Sequence, residues 1–134
     1  MKSYSKHDIM GMDKIYRLNL INSCTGYKSA NLLATRSAEG ISNVAIFNSV
    51  MHLGSNPPLL GFILRPVTVP RHTWENIQAT GVFTVNHVHP EMIKDAHHTS
   101  ASYDRDISEF DITDLREVYK DNFHAPFVAG SRIQ

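Results

Sequence analysis

Between two runs that read as β-strands stands Gly54-Ser-Asn-Pro-Pro58, and its paired prolines restrict what this chain can fold into. Neither Pro57 nor Pro58 can donate a ladder hydrogen bond, so a strand has to start afresh near Leu59. Before the turn, Val44–Val50 alternates in polarity. After it, Leu59–Leu64 carries almost no polar side chain and predicts a strand buried on both faces. Upstream, Ala30–Arg36 and Ile41–Val50 flank Ser37-Ala-Glu-Gly40, whose glycine suits a positive φ, so residues 30–50 predict a hairpin. The spacing of Trp74, Ile77 and Gln78 predicts a helix from Pro70 to Thr80, stopped by Gly81. Strands joined by hairpins around one inserted helix lack the βαβ alternation of a doubly wound sheet. They favour a mainly β, barrel-like or α+β domain.

The remaining stretches are shorter. Ser5-Lys-His-Asp8 reads as a capping box opening a short helix, and Tyr16–Ser29 reads as mixed and turn-rich. Val82–Val88 predicts a further strand, and Pro90 predicts the first position of a helix over Glu91–His98. Residues 99–114 read as loop with a short helix at Ser108-Glu109-Phe110, and Leu115–Tyr119 and Phe127–Val128 as short strands.

At 134 residues the chain suits one domain, residues 1–134, with a single core. Thirteen Lys and Arg balance thirteen Asp and Glu, which argues against nucleic acid or an anionic membrane as the main partner. The lone Cys24 excludes an internal disulfide, and a reducing, cytoplasmic setting is the simplest reading. The first residues contain no apolar signal-peptide core, and no apolar run reaches the roughly 20 residues of a membrane-spanning helix.

Two constellations carry candidate chemistry. Along Val44–Val50, Val44, Ile46 and Val50 should face the core, while Asn43, Ala45, Phe47 and Ser49 face the other way. That second face suits a flat heteroaromatic ligand with polar edges, a dimer interface, or a half-exposed strand. Arg65, Arg71 and Thr73 cluster around a predicted helix start, where unpaired N–H groups favour an anion such as a phosphate monoester. Ordinary surface arginines account for the same residues. His87, His89, His97 and His98 with Asp95 offer nitrogen and oxygen donors, yet match no tight zinc spacing and read more simply as hydrogen-bonded or exposed histidines. Cys24 has no basic partner nearby in sequence, and reads as a buried or half-buried thiol. The glycine-rich and nucleophile-elbow signatures of Rossmann, P-loop and α/β-hydrolase proteins are absent.

Taken in order, Asn43-Val-Ala, Pro57-Pro58, Arg71-His72-Thr73, Asn76-Ile77, Thr80-Gly81-Val82-Phe83, Val85-Asn86, Ser108-Glu109-Phe110 and Ala125-Pro126 resemble the flavin reductase-like family of FMN-binding split barrels. The resemblance runs from about residue 30 to the last residue. It implies a homodimer of split β-barrels with a few short helices, binding FMN near the subunit interface. Asn43, Ala45, Phe47, Asn48 and Ser49 are then expected against the isoalloxazine and ribityl groups, and Arg65, Arg71, His72 and Thr73 around the phosphate. The implied function is an FMN-dependent oxidoreductase drawing electrons from NADH or NADPH and passing them to oxygen, a partner oxygenase or another acceptor. The alternative is a flavin-binding carrier or sensor without nicotinamide turnover. The family's domain continues past its Ala-Pro element, so the expected barrel ends before its usual C-terminal strands. That absent part is also where many relatives place a histidine for the nicotinamide. The turn Met51-His52-Leu53-Gly54 departs from the commonest family version.

Overall fold

A computed structural model describes residues 2–66 and 69–134. Ser5 Oγ accepts from the Asp8 N–H while the Asp8 carboxylate accepts from the Ser5 N–H, so the expected capping box opens α1 (Lys6–Gly11). The Asp13 carboxylate then accepts from the Ile15 and Tyr16 N–H groups and starts α2 (Lys14–Ser23). This helix corrects the turn-rich reading of Tyr16–Ser29. It buries no residue, so local capping rather than an apolar face against the core sustains it.

β1 (Asn31–Arg36) and β2 (Ser42–Phe47) form the expected antiparallel hairpin, with Thr35 paired to Asn43. Ser37 N–H donates to the Ile41 carbonyl and Gly40 stands at φ +97°, a conformation open to glycine. β2 ends at Phe47, leaving Asn48, Ser49 and Val50 outside the strand. β3 (Met51–Ser55) and β4 (Pro58–Gly61) make a separate two-stranded ribbon.

That ribbon corrects the expected doubly buried strand at Leu59–Leu64. Leu59 is 49% exposed, Leu60 59% and Ile63 61%, and regular pairing stops at Gly61. Two antiparallel strands make their mutual hydrogen bonds whether or not their faces are covered, and their outward N–H and C=O groups can be solvated, so apolar side chains there do not compel burial. At Gly61 an added Cβ would lie 2.7 Å from Leu53 Cδ1, so this glycine lets the ribbon's own leucine fold across it.

α3 (His72–Thr80) follows, ended by Gly81 at φ +73° with its N–H on the Ile77 carbonyl, as expected of a glycine stop. β5 (Thr84–His87) pairs with the far side of β1, giving the sheet order β2-β1-β5. Pro90–Met92 forms a 3₁₀ turn with Pro90 at its start, leading into α4 (Ile93–His98). Ser108 caps α5 (Glu109–Ile112), and β6 (Glu117–Val118) pairs with β7 (Phe127–Val128). Among the described residues no helix is long and apolar enough to cross a membrane.

The central sheet has two differently used faces. Leu32 and Ala34 of β1 and Val44 of β2 are fully buried, as are Ala96 and Val128; Met92, Phe110 and Leu115 are buried with them, and Ile46 packs against the cluster. Each fully buried Leu or Val contributes about 1.5–3 kcal/mol. The alternate residues, Thr35 and Asn43, point to the side where α3 lies against β1 and β2. The core is therefore on one face and the polar candidate residues on the other, as the alternation of β2 requires. The last residues return to β5: the His87 N–H donates to the Ile133 carbonyl, and Ser131 Oγ to the His87 carbonyl.

Candidate functional site

The start of α3 collects the polar groups that face away from the core. Arg71 is its N-cap, in extended backbone at φ −136°, and its side chain makes no capping hydrogen bond. The first N–H groups of a helix have no acceptor within it, so this end offers donors and a partial positive charge. Arg71 Nε is buried and, among the described residues, has no hydrogen-bond partner. A guanidinium N–H left in that condition costs about 1–3 kcal/mol or more unless an added group accepts from it. An anion at this helix start would accept from both.

Thr73, in the first turn of α3, is buried at 5% exposure. Its Oγ1 accepts from Asn43 Nδ2 at 3.1 Å. Asn43 Nδ2 also reaches Thr35 Oγ1 at 3.4 Å, and Asn76 Nδ2 donates to the same oxygen at 3.1 Å. β1, β2 and α3 are thus tied at one buried polar knot. Beside it, Ser42, Asn43, His72, Asn76 and Arg105 line a narrow cleft at the inner edge of α3. Arg105 pairs with Glu75 of the same helix.

Glu109 closes the outer edge of β2. The carboxylate, 5% exposed, accepts from the Val44 N–H at 3.0 Å, where a further strand would otherwise pair. Burial pushes its carboxyl up from the ordinary 4.5, and the Val44 hydrogen bond and nearby His72 only partly offset this. Ser108 Oγ lies 3.4 Å from Ser42 Oγ, so the Ser108-Glu109 pair clamps α5 to β2 at two points.

The structure groups only part of the expected site. Asn43 and Thr73 touch, His72 lines the same cleft as Asn43, and Arg71 stands at the same helix start. Phe47 belongs to an edge-to-face row with Phe62 and Phe83, ring centroids 5.4 and 5.1 Å apart, and half-buried Ala45 lies on the same face of β2. Ser49 is engaged elsewhere: its hydroxyl bonds the Ile63 N–H and carbonyl at 3.1 and 3.0 Å. Asn48 is exposed beyond β2. Arg65 is exposed and makes no hydrogen bond or ion pair with another described residue. The strand predicted over Leu59–Leu64, just before it, ends at Gly61. Thr35 and Asn76 belong to the knot without having been singled out for it. The signal for Thr35 is hairpin register, which only the exact loop length settles.

Two of the candidate histidines are engaged in separate hydrogen bonds. His89 Nε2 lies 3.1 Å from the Gly130 carbonyl, and His98 Nδ1 3.3 Å from the Tyr103 hydroxyl. No group of three or more His, Cys, Asp or Glu able to hold a metal ion occurs among the described residues. Cys24 is exposed, not buried or half-buried, because it ends a helix that does not pack on the core.

Residues 26–134 match the flavin reductase like domain family. The chain belongs to that family. This flavin reductase like domain superposes on a split-barrel-domain protein from Shewanella frigidimarina, assigned to the flavin reductases, with a TM-score of 0.94 and 48% identity. The match covers 98% of this chain and 65% of that one. Nitrilotriacetate monooxygenase component B from Bacillus cereus shares the fold at a TM-score of 0.81 and 18% identity, over 98% of this chain and 64% of that one. An uncharacterised protein of Halalkalibacterium halodurans is 30% identical over 104 residues, 76% of this chain and 50% of its own. The chain thus spans about half the length of that curated relative. The fold is a split barrel, mainly β with a few short helices, and its described sheets stay separate.

Proposed function

We propose that this domain binds FMN with the phosphate at the α3 start, and that it is the flavin-holding part of an NAD(P)H-dependent flavin reductase. The observation that carries the reading is Arg71 Nε, buried without a partner among the described residues, at a helix start whose N-cap side chain makes no capping hydrogen bond. A phosphate monoester answers both deficits at once. In this reading Arg71 and Thr73 hold the phosphate, with His72 beside it and Arg65 a more distant contributor. Ala45, Phe47 and the backbone between Asn43 and Ser49 border the rings. Bound FMN supplies two-electron chemistry, with NADH or NADPH as donor. The protein's share is to bind, orient and exclude water, and no acid–base dyad is required of it.

A homodimer forms part of the same proposal. The ribbon side chains Leu53, Leu59 and Leu60 and the α2 residues Ile15, Leu18 and Ile21 are exposed apolar surface that a second copy can cover. A partner oxygenase is the favoured acceptor, since one structural neighbour is by name a monooxygenase component. An exposed Cys24 suits a reducing, cytoplasmic compartment.

Titration with FMN and riboflavin, followed by anaerobic mixing with NADH or NADPH, tests the reading. Flavin uptake with a preference for FMN, followed by bleaching, is the expected result. Bleaching that fails while FMN still binds would reassign the domain as a carrier, and absence of flavin uptake would end the proposal.

A further inference from the structure

The buried knot behind α3 joins β1, β2 and α3 through three side-chain hydrogen bonds, and its donors and acceptors are arranged with a direction. Thr35 Oγ1 accepts from both Asn76 Nδ2 and Asn43 Nδ2, at 3.1 and 3.4 Å. This double acceptor draws the amino end of the Asn43 amide inward. The second hydrogen of that amino group goes to Thr73 Oγ1 at 3.1 Å. A threonine hydroxyl has one hydrogen and two lone pairs, so an oxygen that accepts from Asn43 keeps its own hydrogen to donate elsewhere. With the amide turned by 180°, its carbonyl would face Thr73 and take that hydrogen. The hydroxyl would then offer only lone pairs, the wrong polarity for an anion.

We infer that Thr35, acting through Asn43, is a positioning residue that keeps the Thr73 hydroxyl a donor toward an anion at the start of α3. The inference rests on the reading of that helix start as a phosphate site. Thr35 itself is fully buried on β1 and cannot touch a ligand. Asn76 fixes Thr35 from behind, being 4% exposed and one helical turn beyond Thr73. Thr35→Val keeps the shape but removes the oxygen on which both amides converge, so the Asn43 amide loses its reason to prefer one orientation. Thr35→Ser keeps that oxygen.

The readout is the ratio of the riboflavin Kd to the FMN Kd, which isolates the phosphate and cancels losses of fold or of ring binding. Thr35→Val should lower this ratio about fivefold, Thr35→Ser should restore it, and Thr35→Val should have no further effect in a Thr73→Val background. If Thr35→Val does not fold, Asn43→Ser takes its place with the same expected loss and the same silence in the Thr73→Val background. Equal weakening of both flavins by Thr35→Val, or an unchanged ratio, overturns the inference. Arg71→Ala separates the two levels. If it lowers the ratio while Thr35→Val does not, the phosphate site stands and the positioning role falls. If neither Arg71→Ala nor Thr73→Val moves the ratio, the phosphate reading falls and takes the inference with it.

Discussion

Asn86 offers a demanding test of how this fold is held together. Its side chain is fully buried in β5, and every polar atom of its amide is used. Nδ2 donates to the Leu32 carbonyl at 3.1 Å and to Thr84 Oγ1 at 2.9 Å, while Oδ1 accepts from the Val128 N–H at 2.9 Å. One side chain therefore joins β5 to β1 and to β7, and Thr84 extends the link by donating to the Pro126 carbonyl. Asn86→Ala removes three hydrogen bonds and leaves the Val128 N–H buried without an acceptor. An orphaned buried donor costs about 1–3 kcal/mol and the small cavity adds to it, so a total of about 3 kcal/mol is expected. For a domain of this size that is a fall in Tm on the order of 10 °C. Asn86→Asp separates the contributions. It keeps an acceptor for Val128 but turns a second oxygen toward the Leu32 carbonyl and Thr84, with a buried charge. Near neutral pH it should be at least as damaging as alanine. Burial raises the folded-state pKa of such a carboxyl, so the native state binds the extra proton and stability returns as pH falls, when the protonated carboxyl can donate again. Thermal unfolding of both variants and the wild type between about pH 4 and 8 reads this directly. Wild-type-like stability of Asn86→Asp near neutrality, or two variants that run parallel in pH, would refute the reasoning.

Other outcomes follow from groups already described. Burial raises the folded pKa of Glu109 above its ordinary 4.5, so its contribution to stability is full below that value and declines as pH rises through the raised one. Glu109→Gln should remove that part of the wild-type slope, and an unchanged slope in thermal melts would contradict it. Arg71→Ala should weaken FMN by about tenfold or more in a fluorescence titration while riboflavin changes by less than about twofold. Arg71→Lys should recover only part of the loss, because a point charge cannot reproduce the fork of donors. Gly81→Ala meets nothing within 4 Å, so its cost should be backbone strain alone, about 1 kcal/mol in chemical denaturation. A much larger loss would mean that the end of α3 does more than stop the helix.

What could be read ahead of the structure depended on how far each signal reaches along the chain. Capping at Ser5, the hairpin around Gly40, the Gly81 stop and the alternation of β2 are all decided within a few residues, and each is found as expected. The burial of Leu59–Leu64 could not be inferred from its composition, because a two-stranded ribbon makes its mutual hydrogen bonds whether or not either face is covered. α2 carries the opposite difficulty, being sustained by one aspartate cap with no buried stripe for the sequence to display. At the site, Asn43 and Thr73 stand thirty positions apart, and only the packing of α3 on the sheet reveals that they touch. Glu109 was visible as part of a motif. Its role at the strand edge, reached across 65 positions, was not.

The ribbon has a consequence of its own. Its root is fastened by Ser49 Oγ, which bonds both the N–H and the carbonyl of Ile63, and by Phe62 packed between Phe47 and Phe83. Above that fastening, Met51–Gly61 pairs with itself, so lengthening or shortening the arm leaves the central sheet intact. Divergent evolution can therefore change the length of this arm while its root stays put.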